Sequence, residues 1–137
     1  MEPEFTISTD KTKLDREMIF RFISEESYWG QNITREKVDR AIENSICFGV
    51  YLGNKQVGYA RVITDQATMA YLSDVFILSD YRGRGLSKRL METIQNWPTL
   101  QGLRRWLLFT QDAHGLYSQF GFTAPDRPEW IMQRKGF

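Results

Sequence analysis

The sequence is short of the residues on which several chemistries depend. It contains one cysteine, Cys47, and one histidine, His114. A single cysteine excludes an internal disulfide and a cysteine-cluster metal site, and a single histidine excludes a multi-histidine zinc centre. Long apolar runs are missing too. The longest, Val75-Phe76-Ile77-Leu78 and Trp106-Leu107-Leu108-Phe109, fall far below the roughly 20 residues that span a bilayer. No sign of charge dominates: 18 Lys+Arg against 17 Asp+Glu leave +1, which gives no electrostatic case for nucleic acid or an anionic membrane. The first stretch, MEPEFTISTDKTK, is charged and lacks an apolar signal-peptide core. Internal repeats, low-complexity tracts and Pro/Gly/Ser linkers are likewise absent.

What is present is a chain of 137 residues that is 42% hydrophobic and 14% aromatic, enough for one packed core. The expectation is one domain over residues 1–137, soluble and cytoplasmic, without a metal. The elements read as a mixed α/β series. Phe5-Thr6-Ile7-Ser8 alternates as a short edge strand. Leu14, Met18, Ile19, Phe22 and Ile23 recur at helical spacing, predicting a helix from Leu14 to Glu26 that Ser27-Tyr28-Trp29-Gly30 breaks. Thr34 opens a second helix with Val38, Ala41 and Ile42 on its apolar stripe. Residues 46–52 and 56–63 flank the turn Gly53-Asn54 as a hairpin.

A strand from Ala70 to Leu78 follows, rich in aliphatic and aromatic residues. Arg84 to Asn96 carries Leu86, Leu90, Met91 and Ile94 at helical spacing and stops before Pro98. Arg105 to Thr110 reads as a strand and Ala113 to Phe120 as a short helix punctuated by Gly121. Phe122-Thr123 and Trp130 to Arg134 supply a last pair of strands. The expected architecture is therefore a central mixed sheet of about seven strands flanked by about four helices.

One segment concentrates chemical information: the strand through Val75, Phe76 and Ile77, then Ser79-Asp80-Tyr81-Arg82-Gly83-Arg84-Gly85-Leu86-Ser87-Lys88-Arg89. The first turn of a helix has unpaired N–H groups and a partial positive charge, so it attracts anions. Gly83 and Gly85 let a diphosphate approach those donors, and Arg82, Arg84, Lys88 and Arg89 add positive charge. The same spacing also fits a glycine-rich turn before an ordinary basic helix. Neither the Gly-x-x-x-x-Gly-Lys-Ser/Thr pattern nor the third glycine of the dinucleotide fingerprint is present.

These residues resemble the pyrophosphate loop of the GNAT superfamily of N-acetyltransferases, Gln/Arg-x-x-Gly-x-Gly/Ala. Arg82-Gly83-Arg84-Gly85-Leu86-Ser87 matches it, with Ser87 in place of the usual final Gly/Ala. A second hallmark, a tyrosine four residues before Gly-Phe, is matched by Tyr117 and Gly121-Phe122. The element order above is also that family's. The resemblance implies acetyl-CoA as co-substrate, a sheet splayed between strands four and five, and a β-bulge near Val75-Phe76-Ile77. There pantetheine amides pair with the exposed strand edge, and an N–H of Phe76 or Ile77 serves as oxyanion donor.

Tyr117 is the best single catalytic candidate: a phenol titrates near 10, above a thiol near 8.5, so it can protonate or steady a departing thiolate while itself neutral; a tyrosine on a helix packing beside Phe122 fits the same pattern. Asp74 interrupts an apolar strand; it either handles the acceptor's ammonium or makes a buried hydrogen bond to a neighbouring strand. His114 has the intrinsic pKa of a base and equally suits a structural role. Asp112 is placed to cap the last helix or orient His114. Thr110 stands where many relatives carry an asparagine near the cofactor. The acceptor region the resemblance implies includes Tyr28, Trp29, Arg61, Thr64, Asp65, Asp74 and Trp130. Aromatic rings with an acid suit an aryl- or alkylamine, whereas Arg61 suits an acceptor carboxylate.

The implied activity is N-acetyl transfer to a small-molecule or peptide amine by direct attack in a ternary complex. Cys47 has no flanking basic residue to activate it as a nucleophile. The alternative is a non-catalytic acyl-CoA-binding or regulatory module of the same fold. An Arg-Gly nucleic-acid binder fits poorly, because the basic cluster is brief and opens a helix. The last strands leave room for a homodimer.

Overall fold

Hydrophobic period decides where each element begins, and the computed structural model, which describes residues 4–136, follows those changes of period closely. Residues 1–3 and 137 of the expected domain lie outside the described residues. The strands are β1 (Phe5–Ser8), β2 (Ile46–Leu52), β3 (Lys55–Thr64), β4 (Met69–Ile77) and β5 (Arg105–Leu108). The helices are α1 (Arg16–Arg21), α2 (Arg35–Glu43), α3 (Leu86–Gln95) and α4 (His114–Ser118). The strands form one sheet in the order β1-β2-β3-β4-β5. Its first four strands are antiparallel, and β5 joins β4 in parallel.

Local chemistry sets the boundaries. Asp15 caps α1 by accepting from the Met18 N–H, and Thr34 caps α2 by accepting from the Lys37 N–H; each satisfies a first-turn donor. Helix α1 is shorter than its apolar spacing suggests, because the chain widens into a π-turn over Phe22–Glu26. Ser24 and Ser27 donate their hydroxyls to the carbonyls of Phe20 and Ile23 there. Between β3 and β4, the Asp65 carboxylate accepts from the N–H groups of Ala67 and Thr68 and from the Thr68 hydroxyl. Thr64 donates its hydroxyl to the Met69 carbonyl. Both residues, expected near the acceptor, close this turn.

The sheet separates two apolar layers. On one face Leu86, Leu90, Met91 and Ile94 of α3 meet Phe48, Val50, Ala60, Val62, Ala70 and Leu72. On the other, Ile19, Phe22, Ile23, Val38 and Ile42 meet Cys47, Tyr59 and Phe76. Burying each large aliphatic side chain contributes roughly 1.5–3 kcal/mol, so the α3 stripe alone anchors the helix firmly.

Two expected strands are absent among the described residues, correcting about seven strands to five. Phe122-Thr123 lies in a turn and coil, and Trp130 ends a 3-10 turn (Pro128–Trp130) after which residues 131–136 are irregular and exposed. The alternation of these residues suits a strand. Gly121 at φ +89° redirects the chain, however, and Pro125 and Pro128 offer no N–H for a ladder.

Candidate active site

The first component is the start of α3. Gly83 and Gly85 have φ of +78° and +74°, and Gly85 is the N-terminal cap. A Cβ at either position would meet nothing within 4 Å, so it is the left-handed backbone, rather than space, that favours glycine. Leu86 is buried beneath the loop and fixes the helix to the sheet. Among the described residues, no hydrogen bond engages the N–H groups of Leu86, Ser87 or Lys88, and the Arg89 N–H already bonds the Gly85 carbonyl. The result is a row of outward donors at a positive helix end.

The surrounding cations divide into held and free. Arg82 donates Nε to the Ile77 carbonyl at 2.9 Å, and Arg89 donates Nη2 to the Phe5 carbonyl at 3.0 Å. Arg84 lies over the Tyr81 ring, 5.6 Å from its centroid. Lys88 is exposed.

The second component is a break in β4. Opposite β3, Tyr59 pairs with Phe76 and Arg61 with Ser73, so β4 carries one residue more than β3 in this interval. Asp74 holds φ +52° there, the signature of a bulge. The extra residue switches which face each side chain takes: Ala70 and Leu72 face α3, but Phe76 faces α1 and Ile77 faces α3. Phe76 stacks on Phe22, centroids 3.9 Å apart and planes at 8°. The Leu78 N–H donates to the Val57 carbonyl at 2.8 Å. Antiparallel alternation then turns the main-chain groups of Phe76 toward β3 and those of Ile77 to the opposite side. Pairing between β4 and β5 covers Met69–Leu72 with Arg105–Leu108, leaving β4 from Ser73 onward without β5 beside it.

The Asp74 carboxylate is held on both oxygens. Oδ1 accepts from the Trp29 indole Nε1 and Oδ2 from Arg61 Nε, each at 2.8 Å. Arg61 also donates Nη1 to Ser45 Oγ at 3.1 Å and Nη2 to Ser73 Oγ at 3.4 Å. The Arg61–Asp74 pair is largely shielded, with side chains 15% and 11% exposed, so its members depend on each other to offset desolvation.

These residues line a cleft of about 670 Å³ between the α1–α2 face and the ends of β4 and β5. Tyr28, Trp29, Arg61, Asp74, Val75, Thr110 and Tyr117 all contribute to it. Tyr71, Phe109, Gln111 and Asp112 also line it. Of these, Tyr71, Phe109 and Gln111 escaped the sequence reading; for Phe109 and Gln111, which follow the C-terminal end of β5, that position is a usable signal. Tyr28 Oη accepts from the Gln111 N–H at 2.8 Å, tying the loop after α1 to the segment before α4.

Tyr117 is 8% exposed. Burial, followed by the neighbouring Tyr28 and Asp112, pushes its phenol up to about 12. Its place follows from the turn behind it: Gly121 in the left-handed region brings the Phe122 N–H back to the Tyr117 carbonyl at 3.2 Å. The two rings meet edge to face at 5.9 Å. Thr110 Oγ1 accepts from the Ala113 N–H at 3.0 Å and so closes the turn into α4.

Two expected residues, His114 and Trp130, stand apart, and Cys47 is not placed to react. His114 is exposed at the start of α4 and is not among the cleft walls. Trp130 lies on another groove, beside β5 and Phe122, with Arg127 over its ring at 4.8 Å. Cys47 is 1% exposed, and burial raises its thiol pKa, which opposes a nucleophilic role.

Comparison with known proteins identifies the family. The model of the acetyltransferase (GNAT) family matches residues 16–122. A solved structure from Xanthomonas campestris pv. campestris, assigned to the GNAT acetyltransferases, superposes with a TM-score of 0.96. It is 48% identical, over 99% of this chain and 96% of that one. A Gibberella zeae protein assigned as an acetyltransferase, FG08082, is 31% identical over 139 residues, 85% of this chain and 77% of its own length. Mus musculus N-alpha-acetyltransferase 80 is 34% identical over 68 residues, 48% of this chain and 22% of its own length. With the family model spanning both the α3 loop and Tyr117, the chain belongs to the GNAT family of acetyltransferases.

Proposed function

We propose that the protein transfers acetyl from acetyl-CoA to a primary amine, by direct attack of the amine within a ternary complex in the cytoplasm. The carrying observation is the convergence of three features at one end of the sheet: the unengaged amides of residues 86–88, the bulged end of β4, and the neutral phenol of Tyr117. The loop fits a diphosphate because its donors point outward and no side chain at Gly83 or Gly85 stands before them. The end of β4 fits an amide-bearing arm, since the Ile77 N–H is on the side away from β3; of Phe76 and Ile77, it is the donor available to the thioester oxygen. In this reading the sheet is splayed beyond Leu72, and the arm enters that opening.

Chemistry then requires little more than placement. The ammonium first releases a proton to solvent; the amine nitrogen then bonds to the acetyl carbon, the carbon–sulfur bond breaks, the departing sulfur takes the Tyr117 phenol proton, and the proton shed by the new amide nitrogen restores the phenol. Asp74 acts through position, since both of its oxygens are already held. Asp112, exposed at the same cleft, is the carboxylate that meets the arriving ammonium. The shared segment with an N-alpha-acetyltransferase supports nitrogen as the acceptor atom. A non-catalytic acyl-CoA-binding module draws on the use of Thr110 as a turn cap.

Two measurements test the reading. Titration calorimetry with CoA should show saturable binding that Gly85→Val abolishes; unchanged binding by the variant relocates the diphosphate site. Thiol release from acetyl-CoA in the presence of amines should exceed the amine-free rate. Binding without such release identifies the non-catalytic module.

A further inference from the structure

Among the described residues, Arg61 is the only Lys, Arg or His that lines the cleft. An acceptor bearing an acid would therefore have to pair with Arg61. Each of its three nitrogens already donates to a fixed partner, Asp74, Ser45 and Ser73, and its charge is already offset by Asp74, so the N–H groups left over offer an acid little net attraction. Withdrawing Arg61 would leave the shielded Asp74 carboxylate without its counter-ion, a strongly unfavourable exchange. The charge left unbalanced at the cleft is that of Asp112, which forms no ion pair among the described residues. The cleft thus admits a cation and offers nothing to an anion.

The remaining walls are apolar and aromatic. Tyr28 and Trp29 meet edge to face at 5.1 Å, and Tyr71 and Phe109 contact at 5.7 Å. Phe109 is 63% exposed and Trp29 42%; large rings left open along one cleft mark a surface awaiting an apolar partner. Two hydrogen bonds, Tyr28 Oη to the Gln111 N–H and Trp29 Nε1 to Asp74, bind the aromatic loop across the cleft. A bridged cleft of this kind suits a compact molecule better than a through-running peptide.

From these observations we infer that the acceptor is a small hydrophobic primary amine carrying no acidic group. This rests on the amine-transfer reading above and narrows it. Of the two acceptor types suggested by the sequence, the aryl- or alkylamine remains, and the carboxylate partner for Arg61 falls away.

The test is thiol release from acetyl-CoA with matched acceptors: phenethylamine, phenylalanine, phenylalaninamide, glucosamine 6-phosphate and a short peptide with a free N-terminus. The expected kcat/KM for phenethylamine exceeds that for phenylalanine by about 100-fold, because the carboxylate finds no cation. Phenylalaninamide should regain most of that difference. Phe109→Ala should raise the KM for phenethylamine about tenfold, and Asp112→Asn about fivefold, with CoA affinity unchanged in both. Equal or preferred use of phenylalanine, the sugar phosphate or the peptide overturns the inference and leaves amine transfer standing. No release with any amine overturns amine transfer, and this inference with it.

Discussion

The two halves of β4 are made of similar residues and do different work. From Ala70 to Leu72 the strand has a neighbour on each side, β3 and β5, and its inward residues Ala70 and Leu72 are buried under α3. From Ser73 to Ile77 it keeps only β3; Ser73, Asp74 and Val75 line the cleft, and Phe76 and Ile77 are buried on opposite faces of the sheet. What separates the halves is one extra residue at φ +52°. A strand interior becomes a site wall when a bulge reverses which face its side chains take, with no change in the kind of residue used.

Removing that residue is the most drastic way to break the contrast. Deleting Asp74 forces Phe76 toward the α3 layer and Ile77 toward α1, so loss of more than about 4 kcal/mol is expected in urea unfolding. Asp74→Gly should instead keep the bulge and the fold. It frees Trp29 and Arg61, and its mark should be an acceptor KM raised about tenfold with CoA binding intact. Leu72→Ala probes the paired half: about 3 kcal/mol of stability should go, while CoA affinity per folded molecule stays the same. Tyr117→Phe probes the open half: kcat should fall about 100-fold, with CoA affinity by calorimetry and the thermal midpoint nearly unmoved.

The smallest effect is in pH. Burial pushes both Tyr117 and Tyr51 up to about 12, whereas an unfolded chain ionises tyrosine near 10. The folded state therefore holds these protons after the unfolded state has begun to lose them. The stabilisation is complete below about pH 10 and declines as pH rises through about 12. Circular dichroism across that range should show the thermal midpoint falling; a flat midpoint removes these phenols from the alkaline limit of stability.

The parts legible in the sequence are those whose determinants are local. The loop from Arg82 to Ser87, the apolar stripe of α3, the caps Thr34 and Gly121, and the turn at Gly53-Asn54 each announce themselves within a few residues. The Asp74 cluster does not, because its partners are 13 and 45 residues away in sequence. Half of it could have been found: counting outward from the turn at Asp65 places Arg61 beside Ser73. The Trp29 contact depends on how the loop after α1 crosses the sheet, which no periodicity records. The C-terminal alternation misled for the converse reason, since a strand pattern specifies a strand only where a ladder accepts it.

The π-turn at Phe22–Glu26 has a consequence for how the cleft can vary. Winding wide for one turn, it changes the phase at which the chain leaves the helix, and with it the bearing of Tyr28 and Trp29. Ile19 and Ile23, rooted in the layer beneath, are indifferent to that bearing. A single-residue length change within the turn would therefore re-aim the aromatic lip by about 100° of helical rotation. In the proposed reading, acceptor preference is in that sense a dial mounted on a fixed plate, adjustable without disturbing the start of α3, which packs on the opposite face of the sheet.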